Sequence, residues 1–493
     1  MTLRTYQQRA HNAIMEWVRN CKSPCLLEAA TGAGKSHVIA SVAQFIHEIS
    51  GGKSVLCLAP SAELVHQNRA KYLATGNPAS IYSSSAGGAC LRHPVVFGTP
   101  GTVIKAVEKI GPKCSAVIVD EAHGITNTVR KIIHGIARVN PNVRVIGMTA
   151  TPYRLDSGYI YEADEYGEQV KEVKEPYFAR LVERITAHEL IGQGYLTKPV
   201  IGAGPADHYD TSRLERSRTG KFTGASQEQA FEGQGRKTSK IIADIVERSR
   251  GRMGVIIFAA TRQHARECLE SLPPDNSDMV DGTTRNRKKI LDDFAEQRFK
   301  YLVNVEVLTT GYDAEHIDVV CLLRHTESAG LMQQMIGRGL RVHPQKDDCL
   351  ILDYAENIET HTPDGDLFNP QISAPREMES GDPIKAICER CNHKNTFAGR
   401  PNPDEYEIDQ HGYFCDLDGF RVEGDHGPIP AHYGRRCQGT VIVGGEMDAC
   451  SYRWTERTCE ECGAGNDIAA RYCSDCGEEL VDPNEKLRME FAR

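Results

Sequence analysis

The sequence predicts an α/β chain: two tandem parallel-sheet lobes followed by a small cysteine-rich region. Three observations carry that expectation. Up to about residue 375, short apolar runs alternate with helical patterns, as parallel strands joined by crossover helices require. Two of those runs lead into a glycine-rich and an acidic motif, AATGAGKS at 29–36 and DEAH at 120–123. Beyond Cys388 the cysteines, scattered until then, come in pairs.

The first element is a strand at Cys25-Leu26-Leu27-Glu28 running into the glycine-rich loop. Apolar residues at helical spacing (Val38, Ile39, Val42, Phe45, Ile46) then predict a helix from Ser36 to Ile49. A strand, this loop and a helix together form a phosphate cradle. Backbone N–H groups of Thr31, Gly32, Ala33 and Gly34 wrap the phosphates, Lys35 reaches the outer ones, and the Ser36 hydroxyl holds Mg²⁺. Ala29 stands where the pattern usually has its first glycine.

Next, Ala116-Val117-Ile118-Val119 reads as a buried parallel strand that delivers two carboxylates to its C-terminal end. Asp120 is the expected Mg²⁺ partner, and Glu121 the base for the attacking water. Positive charge comes from a third segment, Leu331 to Arg341, where a helix would set Gln334, Arg338 and Arg341 on one face. Guanidinium groups so placed stabilise a transferring phosphoryl group, which makes hydrolysis conditional on closure of a cleft between two lobes.

With these motifs in order, the chain resembles the superfamily 2 helicases and translocases, whose two lobes are RecA-like. Shorter blocks agree. Leu3-Arg4-Thr5-Tyr6-Gln7 resembles the element in which Arg4 and Gln7 would contact the adenine. Leu58-Ala59-Pro60 with Glu63 to Gln67, Phe97-Gly98-Thr99-Pro100, and Thr149-Ala150-Thr151-Pro152 resemble two strand-contacting motifs and a coupling motif. In the other lobe, Val255 to Thr261 and Leu308 to Asp313 resemble motifs IV and V, with Gly311 and Asp313 near the nucleotide and Thr309 or Thr310 near the nucleic-acid backbone. The whole chain is most similar to the RadD family of bacterial DNA-repair ATPases, through FGTP, RFKYLVNVEVLTTGYDA, RRCQG at 435–439 and NDIAARYC at 466–473. That resemblance implies an ATP- and Mg²⁺-dependent DNA motor in recombinational repair, with single-stranded or branched DNA and single-strand-binding or recombination proteins as partners. Members of that family extend further past the element matching Val481-Asp482-Pro483, and a function housed there is expected to be absent.

An RNA helicase would share every motif, because motors that track a backbone read phosphates more than bases. The motor of a restriction system is another option, although no nuclease signature is evident. A zinc-bearing adaptor on a dead ATPase is disfavoured by the presence of Lys35, Glu121 and Arg338.

Composition sets outer limits. At 493 residues two or three domains are expected. No apolar stretch approaches the ~18 residues of a membrane span, and the opening residues do not read as a signal peptide, so a cytoplasmic protein is expected. A net charge of −9 supplies no bulk attraction to DNA. Any binding groove must therefore be a local arrangement of basic side chains, which argues against a passive DNA-coating protein.

Eight cysteines before residue 388 are scattered, several in strand-like runs, as buried free thiols are. Cys459-x2-Cys462 and Cys473-x2-Cys476, with ten residues between the pairs, match a tetrahedral Zn²⁺ site. Cys388-x2-Cys391 forms half of a second. The other half comes from among Cys437, Cys450, Cys415, His393, His411, His426 and His432; the family resemblance around RRC and ACSYRW selects Cys437 and Cys450.

The expected domains are 1–200 (first RecA-like lobe), 201–235 (linker or insertion), 236–375 (second lobe) and 384–493 (zinc-binding region with two four-cysteine sites). Strands are expected at 54–60, 94–97, 116–120 and 143–148, then at 253–258, 301–305, 318–323 and 349–353. Within the linker, Arg213, Arg216, Arg218 and Lys221 fit either a DNA contact or, with the better match to composition, a solvated loop. No internal repeat is evident beyond the likeness of the two lobes.

Overall fold

The computed structural model describes residues 2–480 except 155–157, 172, 174, 203–208, 210, 212–213, 216–220, 309–311, 313, 363–365, 369–383, 398–405, 417, 425–426, 433–435, 444–445, 451, 468–471 and 474. Two compact units divide it, one reaching to Ala374 and the other spanning Pro375–Glu485.

The first unit holds two sheets. In chain order the strands of the first are β1 (Cys25–Ala29), β2 (Ser54–Leu58), β3 (Ser80–Ser83), β4 (Gly88–Ala89), β5 (Val95–Gly98), β6 (Cys114–Asp120) and β7 (Arg144–Thr149). After a small hairpin, β8 (Tyr153–Arg154) and β9 (Gly158–Tyr159), come β10 (Tyr161–Ala163) and β11 (Phe178–Ile185). The sheet order is β10-β11-β1-β7-β6-β2-β5-β3-β4. All its pairings are parallel except β3 with β4. Because β7 lies between β1 and β6, Thr149 to Thr151 at its end falls between the glycine-rich loop and the acids.

The central strands are apolar on both faces, since helices cover both; Leu26, Leu27, Val117, Ile118 and Ile146 have no exposed surface. Close packing leaves no room at Gly147 on β7, where a Cβ would meet Phe178 Cζ at 2.4 Å and Ala122 Cβ at 2.9 Å. Gly147→Val is expected to lower stability by roughly 1–3 kcal/mol through overpacking, read as a fall in the thermal unfolding midpoint. An unchanged midpoint would show that the neighbours relax freely.

The second sheet comprises β12 (Lys198–Ile201), β13 (Gly254–Phe258), β14 (Ser277–Val280), β15 (Tyr301–Asn304), β16 (Ile317–Leu322) and β17 (Asp348–Asp353). Its order is β12-β17-β16-β13-β15-β14, all parallel. Residues 198–200, expected in the first lobe, therefore already belong to the second sheet, because β12 pairs along its length with β17. Part of the expected linker also packs into the second lobe. Tyr209 is buried against Phe231 and His264, and the helix Gly224–Phe231 buries Ala230 and Phe231 in the same cluster. Lys221 is exposed just before that helix; Arg213, Arg216 and Arg218 lie outside the described residues.

Six helix starts share one local feature. Ser61, Thr126, Thr186, Thr223, Thr261 and Ser328 each stand at an N-cap and accept a hydrogen bond from the backbone N–H three residues on. The helix Lys35–Ile49, like Gly235–Arg248 and Arg287–Ala295, lacks it. Gly34 stands at its N-cap with φ +76° and offers no side chain. Its first N–H groups are thus left for an anion.

The second unit is a set of short antiparallel hairpins, among them β18 (Ile384–Ile387) with β19 (Lys394–Phe397), the pair Thr440–Val443 with Glu446–Ala449, and Glu456–Thr458 with Gly465–Asp467. Its small core gathers Ala386, Phe397, Tyr413 and Trp454 around Cys388, Cys437 and Cys450. No helix among the described residues is long and apolar enough to cross a membrane.

Candidate active site and metal centres

One cavity between the lobes is lined by Thr31, Gly32, Gly34, Lys35, Ser36, Asp120 and Glu121 from the first and by Gln334, Arg338 and Arg341 from the second. Residues from three distant segments of the sequence thus meet as the motifs require. Lys35 Nζ lies 3.5 Å from Glu121 Oε1 and donates to the Ala29 carbonyl at 3.4 Å. Asp120 accepts from Asn68 Nδ2 at 2.7 Å and from the Glu121 N–H at 2.9 Å. Glu121 itself has φ +50°, a left-handed conformation that costs a non-glycine residue about 1–3 kcal/mol and here turns the chain at the end of β6.

Electrostatics separates the two acids. Burial beside Glu121 pushes the Asp120 carboxyl above the usual carboxylate range. Burial also acts on Glu121, but Lys35, His123 and Arg338 outweigh it and hold that carboxyl well below the usual range. The residues fit a magnesium nucleotide on two observations: the uncapped helix at Lys35, and the buried Glu121 Oε2, which accepts no hydrogen bond among the described groups. Ser36 and Asp120, both buried, are the oxygen donors on offer to Mg²⁺.

The arginine segment differs from expectation. The helix spans Ala329–Ile336 and stops there, with Arg338 N–H bonded to Met335 O and Gly339 N–H to Ile336 O in a tightened last turn. Arg338 and Arg341 therefore sit on a loop, and their common direction is set by that loop. Only glycine fits the close approaches along this loop: a Cβ at Gly337 would lie 2.6 Å from Thr31 Cβ, and one at Gly339 would lie 2.3 Å from Cys349 Sγ. Arg338 Nη1 donates to Tyr312 O at 2.7 Å. Thr309, Thr310, Gly311 and Asp313 lie outside the described residues.

At the other end of the cradle, Gln7 Nε2 and the Tyr6 hydroxyl both donate to Ala33 O, at 3.0 and 3.2 Å. The Arg4 guanidinium stacks 4.6 Å over the Tyr195 ring. A Cβ at Gly34 would meet Gln7 Nε2 at 2.6 Å, so that glycine serves the close approach as well as the turn.

Sequence reasoning missed several side chains that organise the site. Asn68 holds Asp120 and lies one residue past the block ending at Gln67. His123 Nδ1 lies 2.9 Å from Thr149 Oγ1 and 3.4 Å from Glu121 Oε2, which joins the acids to the end of β7. From there the Tyr153 hydroxyl crosses to the other lobe and donates to Gln333 Oε1 at 2.7 Å. Only the Thr-Ala-Thr-Pro block hinted at this connection.

In the second unit two clusters stand out, Cys388, Cys391, Cys437 and Cys450, and Cys459, Cys462, Cys473 and Cys476. Sulfur pairs lie 3.9 and 3.6 Å apart in the first and 3.6 and 3.4 Å in the second. Four sulfurs ~2.3 Å from a tetrahedral ion would be ~3.8 Å apart, whereas a disulfide would be ~2.05 Å. The clusters can therefore hold zinc. Cys415 is buried elsewhere, His411 Nδ1 meets Ile387 O, His432 packs on Phe397 and Trp454, and His426 lies outside the described residues.

A repeat that the sequence reading did not find joins the clusters. Each opens with a Cys-x2-Cys knuckle whose next residue has positive φ (Asn392, +55°; Gly463, +75°), followed by an asparagine seven positions after the first cysteine. Asn395 Nδ2 donates to Cys437 Sγ at 3.6 Å and Asn466 Nδ2 to Cys473 Sγ at 3.5 Å. Such donors stabilise thiolate and orient it. The equal Cys-to-Asn spacing was the available signal.

Residues 1–154 match the family described as type III restriction enzyme, res subunit, and residues 237–343 match the helicase conserved C-terminal domain. The chain carries the paired motor domains of the superfamily 2 helicases. Its relatives include the protein named ATP-dependent helicase IRC3 of Saccharomyces cerevisiae, 24% identical over 71% of this chain and 51% of that protein. A type I restriction enzyme EcoAI endonuclease subunit of Escherichia coli is 23% identical over 87% of this chain and 55% of its own length. The chain thus spans about half the length of these relatives. In fold it resembles a fragment of an HsdR subunit of a type I restriction enzyme from Vibrio vulnificus, with a TM-score of 0.53 at 22% identity over 71% of this chain and 64% of that one. The DNA-bound restriction-modification enzyme LlaBIII gives a TM-score of 0.51 at 16% identity, covering 72% of this chain and 28% of that enzyme.

Proposed function

We propose that the protein is a cytoplasmic ATP-driven motor that moves along single-stranded or branched DNA in repair or recombination, as the RadD resemblance implies. The observation that carries the reading is the composite cavity, where Lys35 and the acids of one lobe face Arg338 and Arg341 of the other. ATP would bind with its phosphates on the loop Thr31 to Ser36 and with Arg4 and Gln7 toward the adenine. Mg²⁺, held by Ser36 and Asp120, would neutralise charge on the outer phosphates. Glu121 takes the proton of the attacking water, and Gln334, Arg338 and Arg341 stabilise the charge that develops. Zinc in the two four-cysteine sites would hold the second unit together.

A neighbouring groove supports the nucleic-acid side of the reading. It is about 560 Å³ in volume, reaches from Asp120, Glu121 and His123 outward, and is lined by the hydroxyls of Ser84, Thr99, Thr102, Thr126 and Thr128. Hydroxyl side chains suit phosphate oxygens, which favours contacts without sequence preference. The restriction-modification enzyme LlaBIII is bound to DNA, which weighs toward DNA over RNA.

ATP turnover measured side by side with single-stranded DNA, duplex DNA, branched DNA and RNA tests the proposal. Stimulation by single-stranded or branched DNA is expected; stimulation by RNA alone would make it an RNA motor. In the same assay Tyr153→Phe, which removes the hydroxyl on Gln333, is expected to cut the stimulated rate about 5-fold, the worth of one hydrogen bond, with unstimulated turnover nearly intact. Equal loss of both rates would mean that the contact serves folding rather than coupling.

A further inference from the structure

The loop that carries Arg338 and Arg341 is held from behind. Past the end of the helix Ala329–Ile336, the carbonyls of Gly339, Leu340 and Arg341 have no helical partners. Lys346 takes two of them: its Nζ donates to Gly339 O and, at 2.8 Å, to Arg341 O. The third donor of the same ammonium goes to Ile317 O at 2.6 Å, the first residue of the central strand β16. Thr197 completes the set, its N–H on Leu340 O at 2.7 Å and its hydroxyl on Arg341 O at 3.0 Å. Thr197 is the buried residue immediately before β12, where the chain passes from the first sheet to the second.

Every backbone acceptor from 339 to 341 is therefore drawn to the side of the loop that faces the second lobe's own sheet and the crossover. The side chains at 338 and 341 are left on the cavity. An ammonium with three N–H donors meeting three carbonyls is a fixed point rather than a swinging contact. Desolvation pulls the Lys346 pKa below the ordinary lysine range, a cost that the three carbonyls offset. No carboxylate is needed to explain its position, and the nearby Asp318 is engaged by the N–H groups of Met253 and Gly254.

We infer that Lys346, assisted by Thr197, is a positioning residue for ATP hydrolysis: it pins the loop so that Arg338 and Arg341 meet the transferring phosphoryl group. The inference rests on the motor reading above. Because Thr197 lies at the crossover between the sheets, the pin also ties the aim of the arginines to the hinge on which the lobes would close.

The test is steady-state ATP hydrolysis by the full chain with saturating single-stranded DNA, comparing wild type with Lys346→Met, Lys346→Arg and Thr197→Val, and recording thermal unfolding in parallel. Lys346→Met keeps the length and removes the charge. Its kcat is expected to fall on the order of 10- to 100-fold, as misplacement of a reacting group by about 1 Å does, with KM for ATP within about threefold of wild type. Lys346→Arg, which keeps a cation, should recover part of the loss, and Thr197→Val should show a smaller drop in kcat alone. A Lys346→Met kcat within about twofold of wild type would overturn the inference. If that variant does not fold, Thr197→Val decides, and a wild-type kcat there overturns it equally. A wild-type chain that hydrolyses no ATP under any condition overturns the motor reading itself, and this inference with it.

Discussion

Lys35→Ala is expected to abolish ATP turnover, and Glu121→Gln is expected to leave a protein that still binds ATP but turns it over at least ~100-fold more slowly, the usual cost of losing a positioned base. The two variants fail differently because of the geometry. Lys35 lies 3.5 Å from Glu121 and is the foremost cation holding that buried carboxylate in its charged form. Alanine there removes the charge meant for the outer phosphates and also lets burial push Glu121 toward its protonated, inactive form. Glutamine at 121 removes only the base and keeps the shape, so nucleotide binding persists. Steady-state hydrolysis together with binding of a fluorescent ATP analogue separates these outcomes. Normal turnover by Lys35→Ala would discard the site assignment; a loss of only a few-fold in Glu121→Gln would assign the base to another residue.

The second large effect is on metal. Two zinc ions per chain are expected by elemental analysis, and stripping them with a strong chelator is expected to unfold the second unit while ATP turnover by the first remains measurable. The small core around Cys388, Cys437 and Cys450 explains the size of the effect. A structural zinc site supplies on the order of 10 kcal/mol to such a fold, far more than a handful of aromatic contacts. Cys459→Ser should remove one of the two ions, and limited proteolysis should then cut preferentially beyond residue 450. A wild-type protein that contains no zinc as purified, and that shows the same proteolytic pattern with chelator, would refute the metal reading.

Much of the motor was legible because its motifs are local. Strand runs ending at Ala29 and Asp120 fall where the apolar pattern placed them, since a buried parallel strand needs continuous apolar residues and the loop after it needs glycine or acid at set positions. The arginine segment was legible in content and not in form. Helical spacing was the simplest reading of residues 331–341, yet the helix ends at Ile336 and the chain continues through Gly337 and Gly339, two positions where packing against Thr31 and Cys349 admits no Cβ. The supposed linker misled for a similar reason: its polar composition hid Tyr209 and Phe231, whose burial depends on a sheet more than twenty residues further on.

By itself the sequence determined the order of the motifs, the α/β class, several of the side chains that line the cavity between the lobes and the eight cysteines of two clusters. Each of these depends on residue types at short, fixed spacing, which the periodicity of strands, helices and turns makes readable. Only the tertiary structure decided that the chain enters its second sheet at Lys198, that Asn68 steadies Asp120, that Asn395 and Asn466 serve equivalent sulfurs, and that Lys346 and Thr197 back the arginine loop. Those contacts join groups brought together by packing of distant elements, and no local pattern encodes which polar side chain a buried carbonyl or thiolate will meet.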